Sequence, residues 1–398
     1  MSDSATLPLY MRRSAFDPDP EMAVLRDGEG VRRVTTMFGI DAWLVTRFAD
    51  VREVLGDAER FSIAQRTSFR PPGMEKLTDE QLKTMRAGNL LAFDPPEHTR
   101  LRRMLTPEFT MRRMRRLEPR VKEIVTAHLD AMEAAGSPAD LVKDFALPVP
   151  SLVICELLGV PYDDREDFQR RSGRMLDLSQ PLEQRVAAQL EGRAYMGELV
   201  ARHQADPGED LLGMLIREHG DDLSTDELIG IGNLLLLAGH ETTSNMLGIG
   251  TLALLRHPDQ LDLLRKEPER INAAVEELLR WLSIVHSGTF KITTTEVELS
   301  GVRIPADALV VCALPAANRD PGLVPDADRL DISRGDMGHV AFGHGVHHCL
   351  GAPLARMEMR IAFPALFERF PGLREAGEPA EFRSFNVVYG LTAFPVAW

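Results

Sequence analysis

The sequence predicts a mainly α protein with a small β-rich portion, organised as a single domain over residues 1–398. Three observations predict it. Apolar residues recur at helical spacing through most of the stretch from about residue 100 to 282. Runs with strand character are short and confined to residues 31–47, 297–315 and 386–398. No internal repeat divides the chain, and neither does any linker-like tract of Pro, Gly or Ser.

Each element has its own reason. VRRVTTMFGIDAWLVTR reads as two strands about a turn at Gly39–Asp41, because β-branched and aromatic residues flank a glycine. Residues 62–94 are polar and carry Pro and Gly, so a long functional loop is expected there. The helical region is interrupted at Pro148, Pro161, Pro207–Gly208 and His257–Pro258. Residues 165–189 are helical but highly charged, which marks an exposed element. Ser224 and Glu227 in LSTDEL form a capping box. The helix they open runs to about His257, where Pro258 stops it; at ~1.5 Å per residue it is roughly 50 Å long. VELSGVRIPADALVVCALP returns to short strands, and residues 318–345 form a meander rich in Asp, Pro, Gly and Arg. APLARMEMRIAFPALFERF makes a last helix before the strand-like end NVVYGLTAFPVAW.

Composition narrows the class. The chain is 44% hydrophobic and 27% charged, which suits a soluble globular protein with a sizeable core. Its formal net charge of −14 argues against nucleic-acid binding. Between positions 100 and 120, however, eight arginines face only Glu108 and Glu118. Such a run is a solvated helix face or a docking patch for an acidic partner. Cys155, Cys312 and Cys349 lie far apart, so no disulfide framework is expected and a reducing cytoplasm is the default location. MSDSATLPLYMRRSAF lacks the apolar core of a signal peptide, and LIGIGNLLLLAG is too short to span a bilayer. No membrane insertion is expected.

Four motifs carry chemistry. VAFGHGVHHCLGAPLARMEMR sets Cys349 among glycines and histidines just before a helix. Zinc and haem iron compete there with a plain core cysteine. Zinc would need His344, His347 or His348 to converge with Cys349, with no second cysteine pair to help. The long helix breaks its apolar pattern at LLLLAGHETTSNML: Ala238 and Gly239 allow close approach, and His240, Glu241, Thr242, Thr243 and Asn245 bring polar groups to core depth. Taken alone, threonines bonding back to the preceding turn explain this stretch. A zincin reading fails, because Ser244 stands where a second histidine is required. Glu277-Leu-Leu-Arg280 sets opposite charges on one helical face, and His98 and Arg102 lie one turn apart after Pro95–Pro96.

Together these residues resemble the cytochrome P450 family. The match is Phe342-x-x-Gly345-x-His347-x-Cys349-x-Gly351, joined to Ala238-Gly239-x-Glu241-Thr242 and Glu277-x-x-Arg280 in the family's order. It spans nearly the whole chain and looks closest to the soluble actinobacterial members. The resemblance implies the cytochrome P450 fold, with haem b between the long central helix and a proximal loop whose Cys349 is the axial iron ligand. An axial thiolate pushes electron density into the iron and favours O–O cleavage. Gly345 and Gly351 would let the loop lie flat on the macrocycle, and Phe342, Gly343, Ala238 and Gly239 would also border it. His98, Arg102 and His347 would bind the propionates. This branch of the family usually offers an arginine eleven residues beyond Arg280; Lys291 stands there and keeps the charge without the bidentate fork. Glu277 and Arg280 would be structural, with Arg334 as third member.

The resemblance further implies a monooxygenase that inserts one atom of O2 into an apolar substrate by hydroxylation or epoxidation. Thr242 and Glu241 would relay the two protons that O2 activation consumes. Electrons would come singly from ferredoxin and ferredoxin reductase, with NAD(P)H entering only through the reductase, since no stretch remains for flavin or iron–sulfur motifs. The arginine-rich segment, Arg103, Arg112, Arg113 and Arg116 above all, would be the docking surface. Leu234, Leu237, Ala238, Val285, His286, Ser287 and Val388 would line a pocket for a mid-sized molecule such as a polyketide, terpenoid or steroid of secondary metabolism. A monomer is expected. The rival readings are a non-catalytic haem-thiolate sensor, a peroxide-driven peroxygenase and a zinc-stabilised structural protein. The intact acid–alcohol pair weighs against the first two.

Overall fold

The computed structural model describes residues 7–65, 78–335 and 337–398. Its contacts divide the chain into two compact units that interleave in sequence: Met1–Glu75 with Arg256–Cys349 and Val387–Tyr389, and Lys76–Leu255 with Leu350–Asn386 and Gly390–Trp398.

The first unit is built on a five-stranded mixed sheet. Its order is Val31–Thr35, Asp41–Val45, Leu309–Cys312, Thr289–Thr293 and Phe61–Ser62. The expected hairpin is there, with Val31 opposite Val45 and Thr35 opposite Asp41. Its turn uses Gly39 at a φ of 72°, which a residue with a Cβ rarely adopts. Leu309–Cys312 is buried at all four positions because both faces of this central strand are covered. It runs parallel to Asp41–Val45, with Val310 opposite Trp43, and antiparallel to Thr289–Thr293, with Val310 opposite Lys291. Val31, Val45, Leu55, Phe61, Ile304 and Val310 form the core beneath. The helix Ile271–Leu282 carries the Glu277/Arg280 pair and ends at Ser283, whose φ is 40°.

The second unit is helical. Met111–Ala135, Pro148–Leu158, Arg165–Leu176, Leu182–Ala205 and Ala352–Arg369 accompany the central helix Thr225–Arg256. That helix starts as the capping box requires: the Ser224 Oγ accepts from the Glu227 N–H at 3.3 Å, and Glu227 Oε2 accepts from the Ser224 N–H at 2.8 Å. Thr243 to Leu254 is buried without interruption, so the helix is packed on all sides there and no amphipathic stripe is legible. Small two- and three-stranded sheets gather the chain end, for example Arg374–Glu375, Pro395–Ala397 and Ala139–Asp140.

Two expectations change. Residues 62–94 are not one long loop, for Asp79–Arg86 is a helix opened by a capping box of Thr78 and Gln81. None of its residues is buried, so it lacks the apolar face that would have revealed it. Residues 66–77 of that stretch lie outside the described residues. Pro148 does not interrupt a helix but opens Pro148–Leu158 directly after a π-helical turn, Val142–Ala146. No described helix is long and apolar enough to cross a membrane.

Candidate active site

The cysteine loop is shaped by backbone hydrogen bonds and two left-handed glycines. The Cys349 N–H donates to the Phe342 carbonyl at 2.9 Å, closing a loop over Gly343, at φ 73°, and Gly345, at φ 70°. A Cβ on Gly345 would lie 2.6 Å from the Leu55 carbonyl oxygen, so this position tolerates only glycine. Gly351, by contrast, sits at φ −80°, a conformation open to any residue. Cys349 is exposed and ends the loop just ahead of Ala352–Arg369. Cys155 and Cys312 are buried, and burial pushes both thiols up to about 12. Cys349 is thus the one exposed thiol of the three. Among the described residues no three of His, Cys, Asp and Glu gather to hold a metal, so the zinc reading lacks a donor set there.

Beneath this loop, in the same unit, Glu277 and Arg280 are fully buried and joined by two bonds of 2.7 and 2.8 Å. Arg280 also donates to the carbonyls of Asn318, Ala327 and Arg329 in the meander. Glu277 accepts the Asp331 N–H at 2.8 Å, and Arg334 lies 3.5 Å from it while donating to the Pro325 and Asp326 carbonyls. One helical ion pair thus fixes a segment that has no regular structure of its own. The Asn318 side chain extends this support, accepting the Val340 N–H at 2.8 Å at the start of the cysteine loop.

In the second unit, Ala238 is exposed although Leu236 and His240 beside it are buried. Thr242, one turn on, donates its hydroxyl to the Ala238 carbonyl at 2.8 Å, which is the back-bond the sequence suggested. Gly239 faces elsewhere: a Cβ there would meet Ile154 at 2.7 Å, so its smallness serves helix packing. Glu241 is buried beside His240 at 3.5 Å and Arg383 at 3.8 Å. Burial alone would raise its carboxyl. His240 and Arg383, aided by the Asn245 amide, more than offset this and hold it below the usual range. Arg383 also donates to Asn245 Oδ1 at 2.9 Å, bracing both groups. Neither Arg383 nor Asn245 was singled out as a partner of Glu241, and Arg383 lies 142 positions away in the sequence.

The remaining predicted residues fall as follows. His98 is buried and Arg102 half-buried on one face of Glu97–Leu105, in the second unit. Lys291 is buried in its strand and His347 half-buried in the cysteine loop, in the first. Val285 bridges Val388, and the His286 ring lies tilted against Tyr389 with centres 5.1 Å apart, while Ser287 next in sequence is half-buried. Leu234 and Leu237 line a cavity of the second unit. Arg103, Arg112 and Arg116 are exposed, whereas Arg113 is tied to Glu108 at 2.8 Å and to the Glu209 carbonyl.

The exposed thiol on the glycine-shaped loop of the first unit fits a thiolate ligand to haem iron, and the second unit separately offers an exposed small residue, Ala238, on its central helix. The fold, mainly helical with small sheets, and this cysteine loop are of the kind found in haem-thiolate proteins. The family model for cytochrome P450 matches residues 51–190 and 198–382. Cytochrome P450 FAS1 of Rhodococcoides fascians is 50% identical over the full length of both chains. The vitamin D(3) 25-hydroxylase of Pseudonocardia autotrophica is 42% identical over 96% of this chain and 93% of its own. Among solved structures, CYP105P1 in complex with filipin I superposes with a TM-score of 0.90 at 40% identity, covering 100% of this chain and 99% of that one. The chain belongs to the cytochrome P450 family, as a bacterial-type monooxygenase, and family membership implies haem iron and the use of O2.

Proposed function

We propose that this enzyme inserts one oxygen atom into a mid-sized, mostly apolar substrate, by hydroxylation or epoxidation, using electrons passed singly from a ferredoxin and its NAD(P)H-dependent reductase. The observation that carries the reading is the exposed Cys349 thiol on its glycine-shaped loop, in a chain whose other thiols are buried. Bound haem b would supply O2 activation at iron. Cys349 would hold the iron, Phe342, Gly343, Gly351, Ala238 and Gly239 would border the ring, and His98, Arg102, Lys291 and His347 would balance its two carboxylates. Gly239 has the weakest claim, given its packing on Ile154.

The reaction joins substrate, O2, two electrons and two protons to give oxygenated product and water. Thr242 and Glu241 serve the protons. With its hydrogen given to the Ala238 carbonyl, the Thr242 hydroxyl turns lone pairs outward and can anchor a water. Glu241, kept ionised by His240 and Arg383, can accept a proton and return it through water to that point. Exposed Arg103, Arg112 and Arg116, on a chain of net charge −14, offer an acidic ferredoxin a local basic face. Arg113, being ion-paired, contributes less. The single domain works as a monomer in the cytoplasm. Relatives named for vitamin D(3) and complexed with filipin I support a steroid, terpenoid or polyketide substrate.

The test has two stages. The reduced protein under carbon monoxide is expected to show the red-shifted absorption of a thiolate-ligated haem; its absence sinks the reading. Thr242→Ala should then keep that spectrum but divert electrons to peroxide, lowering product formed per NAD(P)H by about ten-fold or more. Unchanged coupling removes Thr242 from the proton path.

A further inference from the structure

The second unit holds a cavity whose wall includes Leu234 and Leu237 of the central helix. It encloses about 680 Å³ of non-atom space, part of it continuous with solvent. Among the described residues its lining contains two arginines, Arg171 and Arg193, and no carboxylate. That is unusual in a chain with 60 acidic residues against 46 basic ones, where a basic group normally has an acid close by.

Two donors in this lining lack acceptors. Arg171 lays its guanidinium 4.8 Å from the centre of the Tyr195 ring, and its Nη2 is buried with no hydrogen-bond partner among the described residues. The Asn233 Nδ2 is likewise buried and unsatisfied among them. Buried donors without acceptors are costly, by an amount that an incoming acceptor recovers. Arg193 differs, since it pairs with Asp226 at 3.2 Å and its charge is already balanced. The cavity therefore offers one unshared positive charge and one amide, beside apolar Phe168 and Leu237.

We propose that this cavity recognises a substrate bearing a single carboxylate, bound by Arg171 and Asn233, with its apolar body lying along Leu234 and Leu237. The inference rests on the monooxygenase reading and adds a substrate class to it. One charge matches a carboxylate rather than a phosphate monoester, which would bring nearly two. Leu234, Ala238 and Thr242 recur four apart on one face of the helix, and Asn233 precedes Thr242 by nine residues, roughly 13 Å of helix. Oxidation would thus fall on the end of the substrate remote from its carboxylate.

Calorimetry on the haem-loaded protein tests this with two probes of equal length, dodecanoate and dodecan-1-ol. Wild type should bind dodecanoate about 10- to 100-fold more tightly than the alcohol, the span expected for a charged hydrogen bond. Arg171→Gln should lose most of that margin and Asn233→Leu part of it, with alcohol affinity unchanged. Arg171→Lys, which keeps the charge, should retain more of the margin than the glutamine variant. Equal affinity for the two probes, no binding of dodecanoate, or an Arg171→Gln protein with its margin intact would overturn the assignment. The haem spectrum of the same samples reports separately on the monooxygenase reading, because binding of these probes is measured without turnover.

Discussion

Arg280→Lys is the substitution whose outcome the structure fixes most tightly. Arginine has five N–H donors, and here all five are used: two on Glu277 and one each on the carbonyls of Asn318, Ala327 and Arg329. Lysine keeps the charge but has three donors, so at least two of these acceptors lose their partner. Both side chains are 0% exposed, which leaves no water to replace the missing bonds. At ~1–3 kcal/mol per abandoned buried group, two such groups cost about 2–6 kcal/mol. The assay is urea unfolding of the haem-loaded protein followed by far-ultraviolet circular dichroism, with linear extrapolation to water. A companion variant separates charge from packing. Glu277→Leu with Arg280→Met should be less destabilised than Arg280→Met alone, since no uncompensated carboxylate stays buried. If Arg280→Lys lies within about 1 kcal/mol of wild type, the five-donor account of the meander is wrong.

Two further outcomes follow from buried carboxyls. Glu358 is fully buried on the helix after Cys349; burial raises its carboxyl well above 4.5, and Oε2 has no partner among the described residues. The folded state therefore keeps a proton that the unfolded chain releases, so stability falls as pH rises from about 4.5 toward the folded value. Glu358→Gln removes this dependence: its advantage over wild type should grow with pH by up to ~1.4 kcal/mol per unit, and a gap equal at pH 5 and pH 8 would refute the reasoning. Glu241 has the opposite sign. Arg383→Gln takes away one of the charges that hold it low, so the acidic limb of the coupled-turnover profile should move to higher pH, and an unmoved limb would exclude Arg383 as its positioning partner.

What could be read from the chain was local. Ser224 with Glu227, and Pro258 beyond, bounded the central helix to within a residue, because caps and breakers act over one turn. The Glu277/Arg280 pair was legible for the same reason, being three apart on one helix. The Thr78/Gln81 capping box was equally readable and was passed over, because Asp79–Arg86 shows no apolar face to go with it. Gly239 was read only in part, for a different reason. Smallness at a position says that something comes close, and only packing says that it is Ile154.

By itself the sequence determined the family and singled out Cys349 and the Glu241–Thr242 pair, because each is a short motif whose spacing is fixed by one turn or one loop. The tertiary structure decided what surrounds them. Arg383 and Asn245 brace Glu241, the meander carbonyls take the three donors of Arg280 that Glu277 leaves, and Arg171 and Asn233 line a cavity with no acid among its described lining residues. Apart from Asn245, which lies one helical turn from Glu241, these neighbours come from segments tens to more than a hundred residues apart, joined by packing that leaves no periodic trace. Burial then sets the strength of each contact, since removing water is what makes a nearby charge or an unmet hydrogen bond matter.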